Sequence, residues 1–496
     1  MAERRGHYTQ SLNLRAASIA LAVGIALLTL LAGRSAQAQT FTTLHSFDGT
    51  DGADPIGALV QATDGRLYGS TTGALLLGTI FKITPSGALT TLYNFCYGCG
   101  IGPGTLIQGT DGNFYGTTWN AEGTIFKFTP KNGTRTTLYD FSAQGGGENG
   151  EYPYGVLVQA TDGNFYGTTG IGGAYGEGTL FKITPSGTLT TVYNFCAQTN
   201  CADGAYSTAG LLQGSDGNLY GTTELGGLGS DCEGFFGCGT VFKITLSGML
   251  TTLYSFCTQS NCTDGGGPDA ALIQATDGNF YGTTAGGGAN TTECGGSGCG
   301  TVFKITPSGT LTTLYSFCSQ SGCTDGEYPQ AALIQATDGN LYGMTRNGGA
   351  DNLGTVFRIT LSGALTTLHT FDNTDGSNPE AGLVQDTNGT LYGTTVGGAN
   401  NTCYGGCGTV FSLSVGLGPF VETQPTLGPA GVPVKILGTN LTGATSVTFN
   451  GTPAVFTVFS SSLIGAKVPA GATTGTVQVV TPSGTLSSNL PFRVRH

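Results

Sequence analysis

Charge is scarce in this sequence. Only 10% of the 496 residues are Asp, Glu, Lys or Arg, and acids outnumber bases 30 to 18, for a net charge of −12. The few Lys and Arg form no cluster. Phosphate neutralisation needs grouped cations, so nucleic acid and anionic membrane surfaces are excluded as partners. Histidine is equally scarce, at four residues. His45 and His369 stand at a tyrosine position of a repeat, and His496 is the last residue. A Ser-His-Asp hydrolase or a histidine-dependent lyase therefore lacks its base. Arginines are too scattered for a sialidase-type carboxylate clamp. Tryptophan occurs once and methionine three times.

Glycine is abundant, with 86 residues. It follows no three-residue period, which excludes collagen. It costs roughly 1 kcal/mol per helical position relative to alanine, which excludes a long helical protein. A hydrophobic share of 39% can bury a core and argues against disorder.

The N-terminus reads as an export signal. Arg4, Arg5 and Arg15 precede an apolar run from Ala16 to Leu31, and Ala36-Gln37-Ala38 forms a small-x-small cleavage site. Cleavage after Ala38 leaves 14 basic and 29 acidic residues. The expected location is the periplasm, the cell surface or the medium, with no membrane insertion after cleavage and a monomeric state.

Three segments each recur seven times. An Asp-Gly or Asn-Gly step falls at Asp64, Asp111, Asp162, Asp216, Asp277, Asp338 and Asn388, at intervals of 47 to 61 residues. GTVFKIT-like segments begin at Gly78, Gly123, Gly178, Gly239, Gly300, Gly354 and Gly408. LTTLYSF-like segments end at Phe47, Phe95, Phe141, Phe195, Phe256, Phe317 and Phe371. Each unit reads as four short strands: a (LIQA), b (NFYGTT), c (TVFKIT) and d (LTTLYSF), separated by Gly, Pro, Asn and Asp. Four strands at a period near 50 suggest β-propeller blades. The first strand d precedes any a, b or c, and the last unit lacks its d. The N-terminal strand is thus expected to complete the seventh blade, which removes the open sheet edges.

The unit DGxxP…L(V/I)QxTDGxxYGTT…GTxFKIT…G.LTTL resembles the bacterial tandem repeat called GloVer, over roughly residues 41–413. That resemblance implies an exported protein and no particular activity. The Asp-Gly-Asn-aromatic step also resembles the propellers of streptogramin lyases, from which the missing histidine departs. After residue 417 the rhythm changes. GxxVxIxGTNL at 431–441, SVTFNGTPA at 446–454, VPAGATTGTVQVVTPSG at 468–484 and the final PFRV resemble an IPT/TIG domain. Six alternating strands are expected there, in an immunoglobulin-like sandwich. The expected organisation is a signal peptide (1–38), an all-β seven-bladed propeller (39–417) and this module (418–496).

The a–b and c–d turns keep a nearly constant length, whereas the d–a and b–c loops vary. In an up-down blade both variable classes emerge on one face, which is the expected interaction surface. All 14 cysteines fall in these loops as close pairs: Cys96/Cys99, Cys196/Cys201, Cys232/Cys238, Cys257/Cys262, Cys294/Cys299, Cys318/Cys323 and Cys403/Cys407. Local disulfides are expected. Zinc is the sharper alternative, but only the first pair has CxxC spacing. Asp51, Asp264, Asp325 and Asp375 each precede a glycine with proline three residues further on. Turns explain them, and calcium is a possible cofactor. Trp119, Glu177, Glu224, Glu233 and Glu293 are candidate ligand contacts in b–c loops, where Glu122 also lies. The recurring strand-c cations (Lys82, Lys127, Lys182, Lys243, Lys304 and Arg358) read as turn or blade contacts, and Tyr68 to Tyr392 as packing between blades. The expected function is binding or adhesion, with an extracellular glycan or protein as ligand. Alternatives are a secreted carbohydrate-active enzyme using loop carboxylates, and a structural surface-layer component.

Overall fold

Every unit folds as an antiparallel four-stranded sheet in the order a-b-c-d. In blade 5 the strands are Ile273–Gln274, Phe280–Thr284, Thr301–Ile305 and Leu311–Ser316. Blade 7 takes Val384–Gln385, Leu391–Thr395 and Thr409–Ser414 from its own unit. Its outer strand is Thr40–Ser46, hydrogen-bonded to Thr409–Ser414, as the offset repeat requires. The structure is a computed structural model and describes residues 39–73, 77–96, 102–119, 122–144, 147–229, 237–400, 402–403 and 405–495. The expected signal peptide, Cys99, Cys232 and Glu233 lie outside the described residues. Among the described residues, no helix is long and apolar enough to cross a membrane.

The repeated residues build the interfaces between blades. Phenylalanines of strands d and c meet edge to face at all seven junctions, from Phe95–Phe126 at 5.6 Å to Phe371–Phe411 at 5.6 Å. The closing junction, Phe47–Phe81, has the same geometry at 5.4 Å. Such pairs add about 0.5–1.5 kcal/mol each beyond their buried area. The YGTT tyrosines stack on the next blade, for example Tyr115 on Phe165 at 4.0 Å. The glycine of that motif is steric: a Cβ on Gly282 would stand 2.6 Å from Phe303 Cζ. Gly300 of GTVF adopts φ +91° with Thr284 O 2.4 Å from where a Cβ would be.

A glutamine belt joins the blades near the axis. Each strand-a glutamine accepts the backbone N–H of the preceding blade's a–b turn, from Thr63 to Gln108 (3.0 Å) through Thr337 to Gln385 (3.1 Å). The a–b turns are themselves braced. Asp111 accepts from Asn113 N (3.1 Å), Asn113 Nδ2 (2.7 Å), Tyr115 Oη (2.9 Å) and Lys127 Nζ (3.0 Å). Lys243–Asp216 and Lys304–Asp277 repeat the ion pair, so these strand-c lysines serve the turns.

The C-terminal module has more strands than its hydrophobic pattern implies. Besides the six expected segments, Val421–Gln424, Leu427–Pro429, Thr452–Pro453 and Gly484–Ser487 are also strands. They are short edge strands whose alternation is too brief to read. Val434, Ile436, Val447, Phe449, Val477 and Val479 form the module's core.

The module sits on the a–b turn face and reaches all seven blades. Ser462 Oγ donates to Thr63 O (3.1 Å), Lys435 Nζ to Thr110 O (2.8 Å) and Arg493 to Gln274 Oε1 (2.8 Å). Asn489 Nδ2 donates to Gln335 O (2.7 Å), and Phe420 N to Thr387 O (3.0 Å). Arg495 bridges Thr161 and the turn at Gly217. One face of the ring is thereby closed, and the variable-loop face remains open.

Candidate functional site

A second belt organises the open face. The residue before the d–a proline position donates its N–H to the previous blade's b–c loop: Asp54 to Cys407 O (3.1 Å), Tyr152 to Glu122 O (2.8 Å), Tyr206 to Glu177 O (3.0 Å) and Tyr328 to Cys299 O (3.0 Å). This bond recurs at every junction and places seven d–a loops at equal heights around the axis. Their side chains differ from blade to blade, so a symmetric scaffold carries an asymmetric site.

One side of the site is aromatic. Trp119 (blade 2) lies 6.4 Å from Tyr154 (blade 3), centroid to centroid, and Tyr154 stacks on Tyr152 at 5.9 Å with ring planes 11° apart. Tyr206 (blade 4) adjoins Tyr154. Glycine at position 170 leaves them room, since a Cβ there would meet both rings at 3.3 and 3.4 Å. Tyr154 is 38% exposed, an unusual surface for a large aromatic ring.

The other side is acidic. Glu224 (blade 4), Asp269 (blade 5), Glu380 (blade 7) and Asp54 (blade 1) follow around the ring. Burial raises all four carboxyls above their ordinary range. Asp269 is pushed up to about 7, by burial first and then by the charges of Glu224 and Glu380. Its Oδ2 accepts from Gln330 Nε2 at 3.3 Å, while its buried Oδ1 has no partner. Arg346 pairs with Glu380 at 3.0 Å and partly offsets that carboxyl's rise.

Of the candidates expected from sequence, Trp119 and Glu224 belong to this group. Glu177 enters the belt through its backbone carbonyl. Glu293 lies near the cysteine-bearing loops, where burial first, and then the charge of Glu293, raises the carboxyl of Glu327. Tyr152, Tyr154, Tyr206, Asp269, Arg346 and Glu380 were missed, because their positions change residue type from blade to blade. Their shared signal is position: all flank the d–a proline site or follow YGTT.

Five cysteine pairs form the expected local disulfides: Cys196–Cys201, Cys257–Cys262, Cys294–Cys299, Cys318–Cys323 and Cys403–Cys407. Cys96 and Cys238 are also disulfide-bonded. Two disulfides from adjacent loops pack together, so the sulfurs of Cys294, Cys299, Cys318 and Cys323 lie with Glu327 within 4.8 Å of one another. The d–a aspartates hold turns. Asp325 accepts from Tyr315 Oη (2.7 Å), Ser319 N (2.9 Å) and Ser319 Oγ (2.9 Å), and Asp203, absent from the sequence-derived series, does the same for Tyr193 and Ala197. His45 and His369 replace that tyrosine and pair with Asp51 (2.7 Å) and Asp375 (2.8 Å) on the outer strands.

The chain shares its fold with solved propellers. A catalytically inactive His-to-Ala variant of virginiamycin B lyase from Staphylococcus aureus, solved with quinupristin, superposes with a TM-score of 0.51 at 16% identity, over 76% of this chain and 99% of that one. The extracellular domains of two hybrid two-component systems from B. thetaiotaomicron superpose with TM-scores of 0.48 and 0.49 at 12% identity, over 86% and 93% of this chain and 50% and 59% of theirs. No curated protein sequence matches this one. Family models do match, the repeat model over residues 34–235 and 231–423 and the domain model over 421–494. The chain belongs to the Gloeobacter/Verrucomicrobia repeat family and carries an IPT/TIG domain at its C-terminal end.

Proposed function

We propose that this is an exported binding protein, secreted or held at the cell surface, whose open propeller face takes a glycan bearing amino groups. One observation carries the reading: the Trp119–Tyr154–Tyr152 aromatic group continues through Tyr206 into the Glu224–Asp269–Glu380 acids on successive blades of one ring. Sugar rings present C–H faces that pack on aromatic planes, and an ammonium group answers a carboxylate and a tyrosine face alike. The disulfides support an oxidising location. Isothermal titration with glucosamine oligomers and their N-acetylated counterparts tests this. The amine form should bind at least about tenfold tighter, and Trp119→Ala should weaken both. Equal binding of the two forms would remove the charge argument, and no binding to either would remove the glycan.

A carbohydrate-active enzyme is the second reading, favoured by Asp269, a carboxyl raised to about 7 by burial and by the neighbouring acids Glu224 and Glu380, so that both its forms are present near neutral pH. Release of reducing ends that disappears in Asp269→Asn would establish it.

A further inference from the structure

The docked module and the ring together line a cavity on the a–b turn side of the ring. It measures about 290 Å³ and is lined by the innermost strands of blades 4 to 7 and by the first strand of the module. Ile273, Ile334, Leu383, Phe420 and Leu490 make its surface largely apolar. Into it projects Glu422. It stands on the first strand of the module, where its neighbours Val421 and Thr423 are buried and Glu422 itself keeps accessible surface along the cavity wall.

The carboxylate is unpartnered. Among the described residues no donor reaches it, and the only charge acting on it is another acid, Asp386. Asp386 Oδ1 accepts from Gln61 Nε2 (3.0 Å) and Asn388 N (2.9 Å), while its buried Oδ2 has no partner among the described residues. The module's nearby cations are engaged elsewhere: Lys435 at the Thr110 carbonyl, Arg495 at Thr161, and Arg493 at the strand-a side chain of Gln274, which also lines the cavity. The strand-a glutamines are committed to the belt. An isolated carboxylate in apolar surroundings is unfavourable unless it is neutralised or paired.

We propose that this cavity is a binding site for a small organic ammonium ion, with its charged head on Glu422 and its apolar body against Ile273, Ile334 and Leu383. Size sets the class. A cavity of about 150 Å³ holds benzene, so the present one accepts an apolar body of roughly ten non-hydrogen atoms. Because ring and module both line the site, a bound amine also fastens the module to the ring.

The test uses the full chain with 2-phenylethylammonium and its neutral analogue 2-phenylethanol, followed by calorimetric titration and thermal melting. The amine should bind at least about tenfold tighter than the alcohol and raise the melting temperature. In Glu422→Gln, which keeps size and shape, that preference should vanish or invert. Leu490→Trp, which fills the cavity from the module side, should abolish the response to both. The proposal is overturned if neither compound binds, if both bind wild type equally, or if the preference survives either substitution.

Discussion

The backbone N–H of Thr387 donates to Gln61 Oε1 at 3.0 Å, across 326 residues of sequence. This is the seventh bond of the glutamine belt, and it joins the last blade to the first. Gln61 Nε2 returns to Asp386 Oδ1 and Thr387 Oγ1, both at 3.0 Å. Replacing Gln61 with leucine keeps the volume and leaves a buried N–H unpaired. The expected loss is about 1–3 kcal/mol. Gln159→Leu breaks the same bond between blades 2 and 3, where the Thr110 N–H is exposed to water, and should lose less, about 0.5–1 kcal/mol. Urea denaturation compares them. A harmless Gln61→Leu beside a damaging Gln159→Leu would mean that the ring is open in solution.

Removing residues 39–47 strips blade 7 of its outer strand. Phe41 then leaves Phe411, its stacking partner at 5.1 Å, and Phe47 leaves Phe81. The exposed edge of Thr409–Ser414 becomes a template for other chains. The truncated protein should melt several degrees lower and self-associate, because the buried Phe47 and the partly buried Phe41 are lost. A synthetic peptide of residues 39–47 should restore both properties by strand addition. Unchanged melting would refute closure by the N-terminal strand.

The architecture was legible because it is periodic. Seven copies of Gln, Tyr-Gly-Thr and Gly-Thr-x-Phe each solve the same local packing problem, so composition and spacing carry them. The belt itself was not foreseen, although its glutamine recurs in LIQA, because the partner N–H belongs to the neighbouring blade. The site was legible only in part. Trp119 and Glu224 stood out as departures in b–c loops, whereas Tyr154, Asp269 and Glu380 lie one per blade and acquire meaning only when the ring brings them together. The docked module left no trace in the hydrophobic pattern, since its grip on the turns is mainly polar.

That grip makes docking sensitive to salt. Lys435 and Arg493 leave water for the ring, where Asp111 and Asp216 favour their charged forms. In dilute buffer the ring and module should unfold in a single calorimetric transition. The Lys435→Ala, Arg493→Ala double variant should weaken docking by about 1–3 kcal/mol and split the transition in two, with added salt acting in the same direction on wild type. A single transition for the double variant in high salt would show that apolar contact alone holds the module.

Asp269 makes stability depend on pH with a defined sign. Its carboxyl is raised from 3.8 to about 7, so the folded state holds its proton where the unfolded chain releases it. The protonated form is the one that folding favours. The resulting stability is present below about pH 4 and is lost as pH climbs towards 7. Asp269→Asn removes that loss. The variant should match wild type at pH 4 and exceed it at pH 8 by about 1–3 kcal/mol, read from urea midpoints. Ligand binding carries the opposite slope. A cationic sugar needs the ionised carboxylate, so affinity should rise between pH 5 and 8 in wild type and stay flat in Asp269→Asn while the amine remains protonated. Parallel stability curves for the two proteins from pH 4 to 8 would show that Asp269 titrates like an ordinary surface acid.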